Sequence, residues 1–218
     1  MSAFDPDFED LPAHLPLFPL SGVLLLPRGE LPLNIFEPRY LNMTEDALAG
    51  SRMIGMIQPT EHENSQPSPP LYKTGCAGRI VGFQETDDGR FLLTLRGICR
   101  FDVDEELAST RGYRPAITDW SRFQADLTPA DQPCIDRDKL LFSLKSYFKL
   151  HEISADWNAI EASADERLVT CLSMICPFEA SEKQALLEAP TLTERGQILT
   201  TLVEMSVHAK TPGQASPQ

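Results

Sequence analysis

The sequence predicts an α+β protein, with a β-rich N-terminal half that carries one short helix and a C-terminal bundle of about four helices. Three observations carry this reading. Proline is skewed: of 18 in the 218 residues, eleven precede Leu71. Residues 11–120 consist of short apolar runs broken by Pro and Gly, the pattern of many short strands. Residues 134–209 carry longer segments with helical period and three Ser/Thr-x-x-Glu/Gln strings, each a helix-start signature. Residues 1–10 and 210–218 are expected to be disordered, as termini rich in polar and small residues often are.

The elements follow in order. Leu15–Leu20 and Val23–Leu26 are short apolar runs. Their prolines disfavour central ladder positions, so edges, bends or first strand residues are expected. Leu33–Phe36 is a further run. Pro38 suits a first helical turn. Tyr40, Leu41, Thr44, Ala47 and Leu48 then mark one face of a short helix, with Gly50 placed to stop it. Arg52–Gln58 reads as a buried strand, and the polar, proline-rich Glu61–Pro70 as a mobile loop. Gly78–Phe83 and Phe91–Ile98 flank Asp87-Asp88-Gly89-Arg90, a hairpin signal. Phe101–Glu105 and Tyr113–Trp120 complete a set that favours a barrel.

Thr128–Pro133 is the connector between the halves. In Ile135–Leu150, Leu140, Leu141, Leu144 and Phe148 share a helical face. Ser163-x-x-Glu166 is expected to open a helix through Ile175, with Leu168, Leu172 and Ile175 inward and Pro177 ending it. Ser181-x-x-Gln184 starts a short helix ending near Ala189. Thr191-x-x-Glu194 starts the last, with Ile198, Leu202 and Met205 as its stripe.

Charge and composition narrow the function. The net charge is −13, which disfavours phosphate backbones and anionic membranes. No stretch approaches about 18 uncharged apolar residues, so no membrane span is expected. The opening MSAFDPDFED lacks the basic-then-apolar order of a signal peptide. Five cysteines (76, 99, 134, 171, 176) show no Cys-x-x-Cys spacing. Reduced, mostly buried thiols in a cytoplasmic protein are the simplest reading. No cofactor or metal site is expected.

The block Leu15–Pro59 is the most informative. It contains LPLFPL (Leu15–Leu20), LPLNIFEPRY (Leu31–Tyr40) and DALAGSRMIG (Asp46–Gly55). LYKTGCAGRI (Leu71–Ile80), DGRFLLTLRGICRF (Asp88–Phe101) and PFEASEKQALLEAPTLTERGQIL (Pro177–Leu199) follow. Together these strings resemble the N-terminal, substrate-binding domain of Lon proteases, over nearly the whole chain. The resemblance implies a PUA-like barrel or pseudo-barrel followed by the helical part of that domain. Many relatives carry His where this chain has Asn34, which keeps a hydrogen-bonding side chain and removes a titratable one.

The Gly-x-x-x-x-Gly-Lys-Ser/Thr phosphate loop is absent from this sequence, which has no Gly-Lys dipeptide. The family's protease nucleophile string, Pro-Lys-Asp-Gly-Pro-Ser-Ala-Gly, is absent too. The resemblance therefore implies a recognition module standing alone, without enzymatic activity. The expected function is recognition of unfolded or partner polypeptides, as an adaptor linked to ATP-dependent proteolysis, through a cleft between the two halves. Asn34, Phe36, Glu37, Arg39, Met53 and Met56 are the candidate contacts, with Met43 beside them. In local terms Glu37 suits the positive end of a helix, and Arg39 a neighbouring carboxylate or carbonyl.

The rival is RNA binding, because PUA-like barrels include RNA binders. Electrostatics weigh against it. Residues 1–120 sum to 10 minus 18, or −8, and residues 121–218 to 9 minus 14, or −5. Neither half is a basic patch. Ser143 and Ser146 near Lys145 and Lys149 read as a solvated helix face, Cys171 and Cys176 as core, and Asp102, Asp104, Glu105 and Glu106 as a solvated acidic loop.

Overall fold

A computed structural model describes residues 4–60, 68–129 and 135–210. The six strands are β1 (His14–Pro19), β2 (Glu30–Ile35), β3 (Met53–Ile57), β4 (Thr74–Glu85), β5 (Phe91–Glu106) and β6 (Arg114–Asp119). Helix α1 (Pro38–Ala49) lies between β2 and β3. A 3-10 turn (Ser121–Leu127) then leads to α2 (Arg137–Leu150), α3 (Trp157–Ala162), α4 (Asp165–Ile175), α5 (Ala180–Glu188) and α6 (Leu192–Lys210). The class is α+β, as the sequence predicts, with five helices in the C-terminal part. Most of Glu61–Pro70, most of the connector and the C-terminal tail lie outside the described residues.

The strands run in the order β2-β5-β4-β3-β1-β6, and β6 also pairs with β5, which closes the sheet into a barrel. The length of β5 makes this possible. Its first half pairs with β2 (Glu30↔Arg96 to Ile35↔Phe91) and its last residues with β6 (Asp102↔Asp119 to Glu106↔Ala116). The expected Phe91–Ile98 and Phe101–Glu105 strands are thus one. The hairpin is as predicted, with Gly89 at φ +79 in a turn where Thr86 N–H donates to the Arg90 carbonyl at 3.0 Å. The register shifts at Ala77/Gly78, where Ile98 of β5 is the extra residue, and at Ile80/Gly82, where Val81 of β4 is, mark one bulge on each strand and add twist and curvature to the barrel wall.

Two local expectations change. β1 lies inside the order, parallel to β3 and antiparallel to β6, despite Pro16 and Pro19. Pro16 faces Pro115, so the two residues that lack an N–H share one rung and β1 stays paired around it. Val23–Leu26 forms no strand; Leu24, Leu25 and Leu26 turn into the core as extended loop, at 2%, 1% and 0% exposure. Gly97 permits this. A Cβ there would stand 2.0 Å from the Leu26 carbonyl oxygen, and Gly97 N–H instead donates to the Gly29 carbonyl at 2.8 Å.

The N-terminal residues described are also packed. Phe8–Asp10 form a 3-10 turn, Phe8 and Leu11 lie against the barrel core, and Asp5 pairs with Arg79 at 3.1 Å.

The helical half shares its core with the barrel. One cluster of buried residues joins Phe18, Leu25, Ile54 and Leu95 to Leu140, Leu172, Leu186 and Leu199. A second cluster, on the barrel side, surrounds Phe101 and Trp120 and takes in Phe123 of the 3-10 turn. Polar ties also cross between the halves. Arg100 on β5 makes a bidentate pair with Asp126 (2.8 Å each) and donates to the carbonyls of Leu187 (3.0 Å) and Ala189 (2.7 Å). Burial alone would depress the Arg100 guanidinium; the Asp126 carboxylate outweighs it and holds it above its ordinary value. Gln58 donates to the Ala180 carbonyl at 3.0 Å and to Gln184 at 3.1 Å.

Helix starts and stripes differ in part from the sequence reading. Thr191-x-x-Glu194 is a reciprocal cap, with Glu194 N–H donating to Thr191 Oγ1 and Thr191 N–H to Glu194 Oε2, both at 3.1 Å. The box on α5 uses Glu179 and Glu182, two residues before the predicted Ser181-x-x-Gln184. Ser163 does not cap α4; it closes α3, donating to the Ala159 carbonyl at 2.7 Å. Ile175 and Met205 are 64% and 61% exposed, while Leu199 and Val203, one position along from the expected α6 stripe, are fully buried. Gly50 ends α1 at φ −114; the left-handed residue is Arg52, at φ +59.

Candidate functional site

The LPLNIFEPRY string folds as an edge strand running into a helix. β2 pairs on one side with β5, Ile35 turns into the core, and Pro38 begins α1. The step between them, Phe36-Glu37, stands at the mouth of a cleft of about 530 Å3. Its walls are the end of β1 (Phe18–Leu20), β2 from Pro32 to Ile35, the start of α1, and the segments at Pro59, Ser68-Pro69 and Gly112–Arg114. The buried rings of Phe18 and Tyr40, 4.4 Å apart, form its inner side. Phe36 is 61% exposed at this mouth.

The charges at the cleft are paired. Glu37 occupies the N-cap position of α1, but its carboxylate accepts from Arg39 Nε at 2.9 Å and makes no cap bond. Arg39 in turn lies over the Tyr40 ring, 4.5 Å from its centroid. Arg114 meets Glu106 through two bonds of 2.6 and 2.7 Å and donates to the Pro69 carbonyl at 2.7 Å. Tyr113 donates to Asp46 at 2.8 Å; burial, then this carboxylate, raises its phenol above the ordinary range. Arg111 pairs with Glu45 and Asp46 at 2.9 and 3.0 Å, tying the segment before β6 to α1.

Of the six candidate contacts, Asn34, Phe36, Glu37 and Arg39 come together here. Met53 and Met56 do not. They are 2% and 3% exposed on a strand buried at every position, and Met43 is fully buried, so these thioethers fill the core and present no surface. The cleft also lies on the barrel, bounded by no residue of α2–α6, and not between the two halves as expected.

Sequence reasoning missed Tyr113 and Arg114. They join the site through the pairing of β6 with β1 (Leu17↔Arg114) and the closure onto β5, which bring residues some 80 positions from β2 to the same rim; no local pattern records that. It also missed a second hollow of about 490 Å3 on the outer face of β2, β5 and β4, lined by Pro32 and Asn34, Leu92 and Thr94, and Gly82 and Gln84.

Ser143, expected on a solvated helix face, is buried and donates to Glu204 at 3.4 Å, while Lys145 pairs with Glu161 at 3.7 Å. Cys171 is exposed and Cys176 buried. Asp102, expected in a solvated loop, is buried and accepts from Thr74 at 2.7 Å and from Arg122. Among the described residues no three His, Cys, Asp or Glu side chains are grouped to hold a metal, and no helix is long and apolar enough to cross a membrane.

The model of the ATP-dependent protease La (Lon) substrate-binding domain matches residues 14–205. The chain belongs to this family. A Lon protease of Flavobacterium johnsoniae is 25% identical over 202 residues, 91% of this chain and 24% of that protein. A Lon protease of Anaeromyxobacter dehalogenans is 31% identical over 98 residues, 44% of this chain and 12% of that protein. The chain thus spans about a quarter or less of the length of these curated relatives. Among solved structures, a Lon N-terminal domain protein from Xanthomonas campestris superposes with a TM-score of 0.60 at 22% identity, covering 86% of this chain and 97% of that one. The N-terminal domain of a Mycobacterium avium complex Lon protease gives 0.58 at 14% identity, with 87% and 97% covered. These likenesses agree on the fold.

Proposed function

We propose that this Lon-type domain binds polypeptide segments in the barrel cleft, without chemistry of its own, and serves as an adaptor to ATP-dependent proteolysis. The observation that carries the reading is the exposed Phe36 ring beside a cleft built from the family's LPLNIFEPRY string. An unfolded chain offers apolar side chains and backbone carbonyls. Phe36, Pro32 and Tyr113 suit the former, and Asn34 offers an amide to the latter. Every arginine on the rim is held by a carboxylate, which supports polypeptide over nucleic acid as occupant. The family description and the name of the relatives support the link to proteolysis.

Fluorescence anisotropy of a labelled, permanently unfolded protein whose blocking groups add no charge (reduced, carbamidomethylated lysozyme) tests this. Micromolar or weaker binding is expected. Phe36→Ser should weaken it roughly tenfold, as loss of a central aromatic contact does. Phe142→Ser, at a still more exposed aromatic on α2 (77%), should leave it unchanged. No binding, or equal loss in both variants, contradicts the reading. A salt-sensitive complex with single-stranded RNA would favour the rival.

A further inference from the structure

The cleft and the hollow on the outer sheet face share three residues, Pro32, Leu33 and Asn34. They are two sides of one ridge, the edge strand β2. Exposed apolar side chains gather along it: Phe36 at 61%, with Phe83 and Leu92 at 41% each and Val81, put out by the β4 bulge, at 39%. Gly82 keeps the second hollow open, because a side chain there would press on Thr94, whose Cβ lies 3.3 Å from the ideal Cβ position. A partner cannot extend the sheet cleanly along β2, because Pro32 has no N–H to give in mid-strand. The surface instead suits a chain that crosses the ridge and places an apolar side chain on each side.

Among the described residues, the lining of the double hollow holds only three charged ones, Glu37, Arg39 and Arg114, and the acid surplus stands in the ring of residues next to it. Five arginines (39, 90, 96, 111 and 114) surround it, each paired with a carboxylate at 2.6–3.1 Å. Eight acids stand against them: Glu30, Glu37, Glu45, Asp46, Glu85, Asp87, Asp88 and Glu106. Five minus eight leaves −3, within a molecule of −13.

We infer that the two hollows form one bipartite groove across β2, selective for a cationic apolar segment: two bulky apolar side chains with Lys or Arg beside them. This rests on the polypeptide-binding reading and specifies its substrate class. Apolar burial supplies the affinity, and the acid surplus sets the preference through complementary charge.

The test uses the full chain and four labelled peptides of about ten residues, long enough in extended form to span both hollows. One carries two Phe with Lys flanks, one the same Phe with Glu flanks, one with Ser flanks, and one Lys flanks with both Phe replaced by Ser. The Lys-flanked Phe peptide should bind about tenfold more tightly than the Glu-flanked one, the sum expected of a few exposed charge contacts, and the gap should close at high salt. The Ser-for-Phe peptide should not bind measurably. Leu92→Ser should weaken the Lys-flanked peptide several-fold, and the double variant Glu85→Lys, Asp87→Lys should narrow the charge preference while keeping apolar binding.

Equal binding of Lys- and Glu-flanked peptides, with the Phe36→Ser effect intact, overturns the cationic selectivity and leaves the polypeptide reading standing. Binding unaffected by Leu92→Ser overturns the bipartite groove. A concentration-dependent dimer, seen by light scattering and dispersed by Leu92→Ser, would give the groove to a second copy and overturn the proposal.

Discussion

Cys76, Cys99 and Cys176 are thiols at 0–1% exposure with no disulfide, while Cys171, on α4, is exposed. Burial pushes Cys99 and Cys176 up to about 12 and Cys76 well above the ordinary thiol value. The sign follows from proton binding. Unfolded thiols ionise near 9 and folded ones do not, so between these values the native state holds more protons. These groups therefore contribute stability that is whole below about pH 9 and is lost as pH rises toward 12. Urea midpoints should fall from pH 8.5 to 10.5, and Cys99→Ser should flatten that fall. A thiol reagent at neutral pH should modify Cys171 rapidly and leave the three buried thiols untouched until the protein unfolds. At this scale the sequence read Cys76, Cys99 and Cys176 as buried correctly, but it placed the exposed Cys171 in the core and was a poor guide to methionine. Met53 and Met56 have the chemistry of an adaptable surface, but β3 has its neighbours β1 and β4 on its edges and packing on both faces, and nothing in the residues themselves tells surface from core.

The elements themselves were largely legible, because hydrophobic period and turn chemistry are local. The Asp88-Gly89 turn, α1 after Pro38 and the Thr191 cap are all where the sequence places them. The misreadings share a cause: a local signal was overruled by contacts made elsewhere. Pro16 stayed inside the ladder because Pro115 lies opposite. Ser163 and Ser181 matched a capping string, but α3, unseen in the sequence, claims the first, and Glu179 with Glu182 does the capping on α5. The α6 stripe slipped by one residue because Leu199 and Val203 face the shared core. These positions give a sharp comparison. Thr191→Ala should cost about 1 kcal/mol of stability in urea unfolding, as loss of a helix cap does. Ser181→Ala, at an exposed position inside α5, should fall within about 0.5 kcal/mol of the parent.

At the scale of the whole molecule the two compositional halves behave as one body. The early prolines mark the corners of a closed barrel and the late helical period marks its helical cover, but the core runs through both. Arg100 is the principal polar tie, joining β5 to the 3-10 turn and to the end of α5. Arg100→Ala leaves Asp126 buried without its partner, and about 3–5 kcal/mol of stability should be lost. Arg39→Ala, which breaks a pair some 45% exposed, should cost no more than about 1 kcal/mol. The site was half legible for the same topological reason. Asn34, Phe36, Glu37 and Arg39 are contiguous and carry the family motif, whereas Tyr113 and Arg114 reach the cleft only through strand pairing and closure.

Amide chemical-shift mapping of the full chain, titrated with an unfolded polypeptide, tests the central claim most directly. Shifts concentrated on Asn34–Tyr40 and Gly112–Arg114, and lost in Phe36→Ser, are the predicted result. Shifts centred instead on the α2 and α6 surface around Phe142 and Met205, or no shifts at saturating polypeptide, would contradict it.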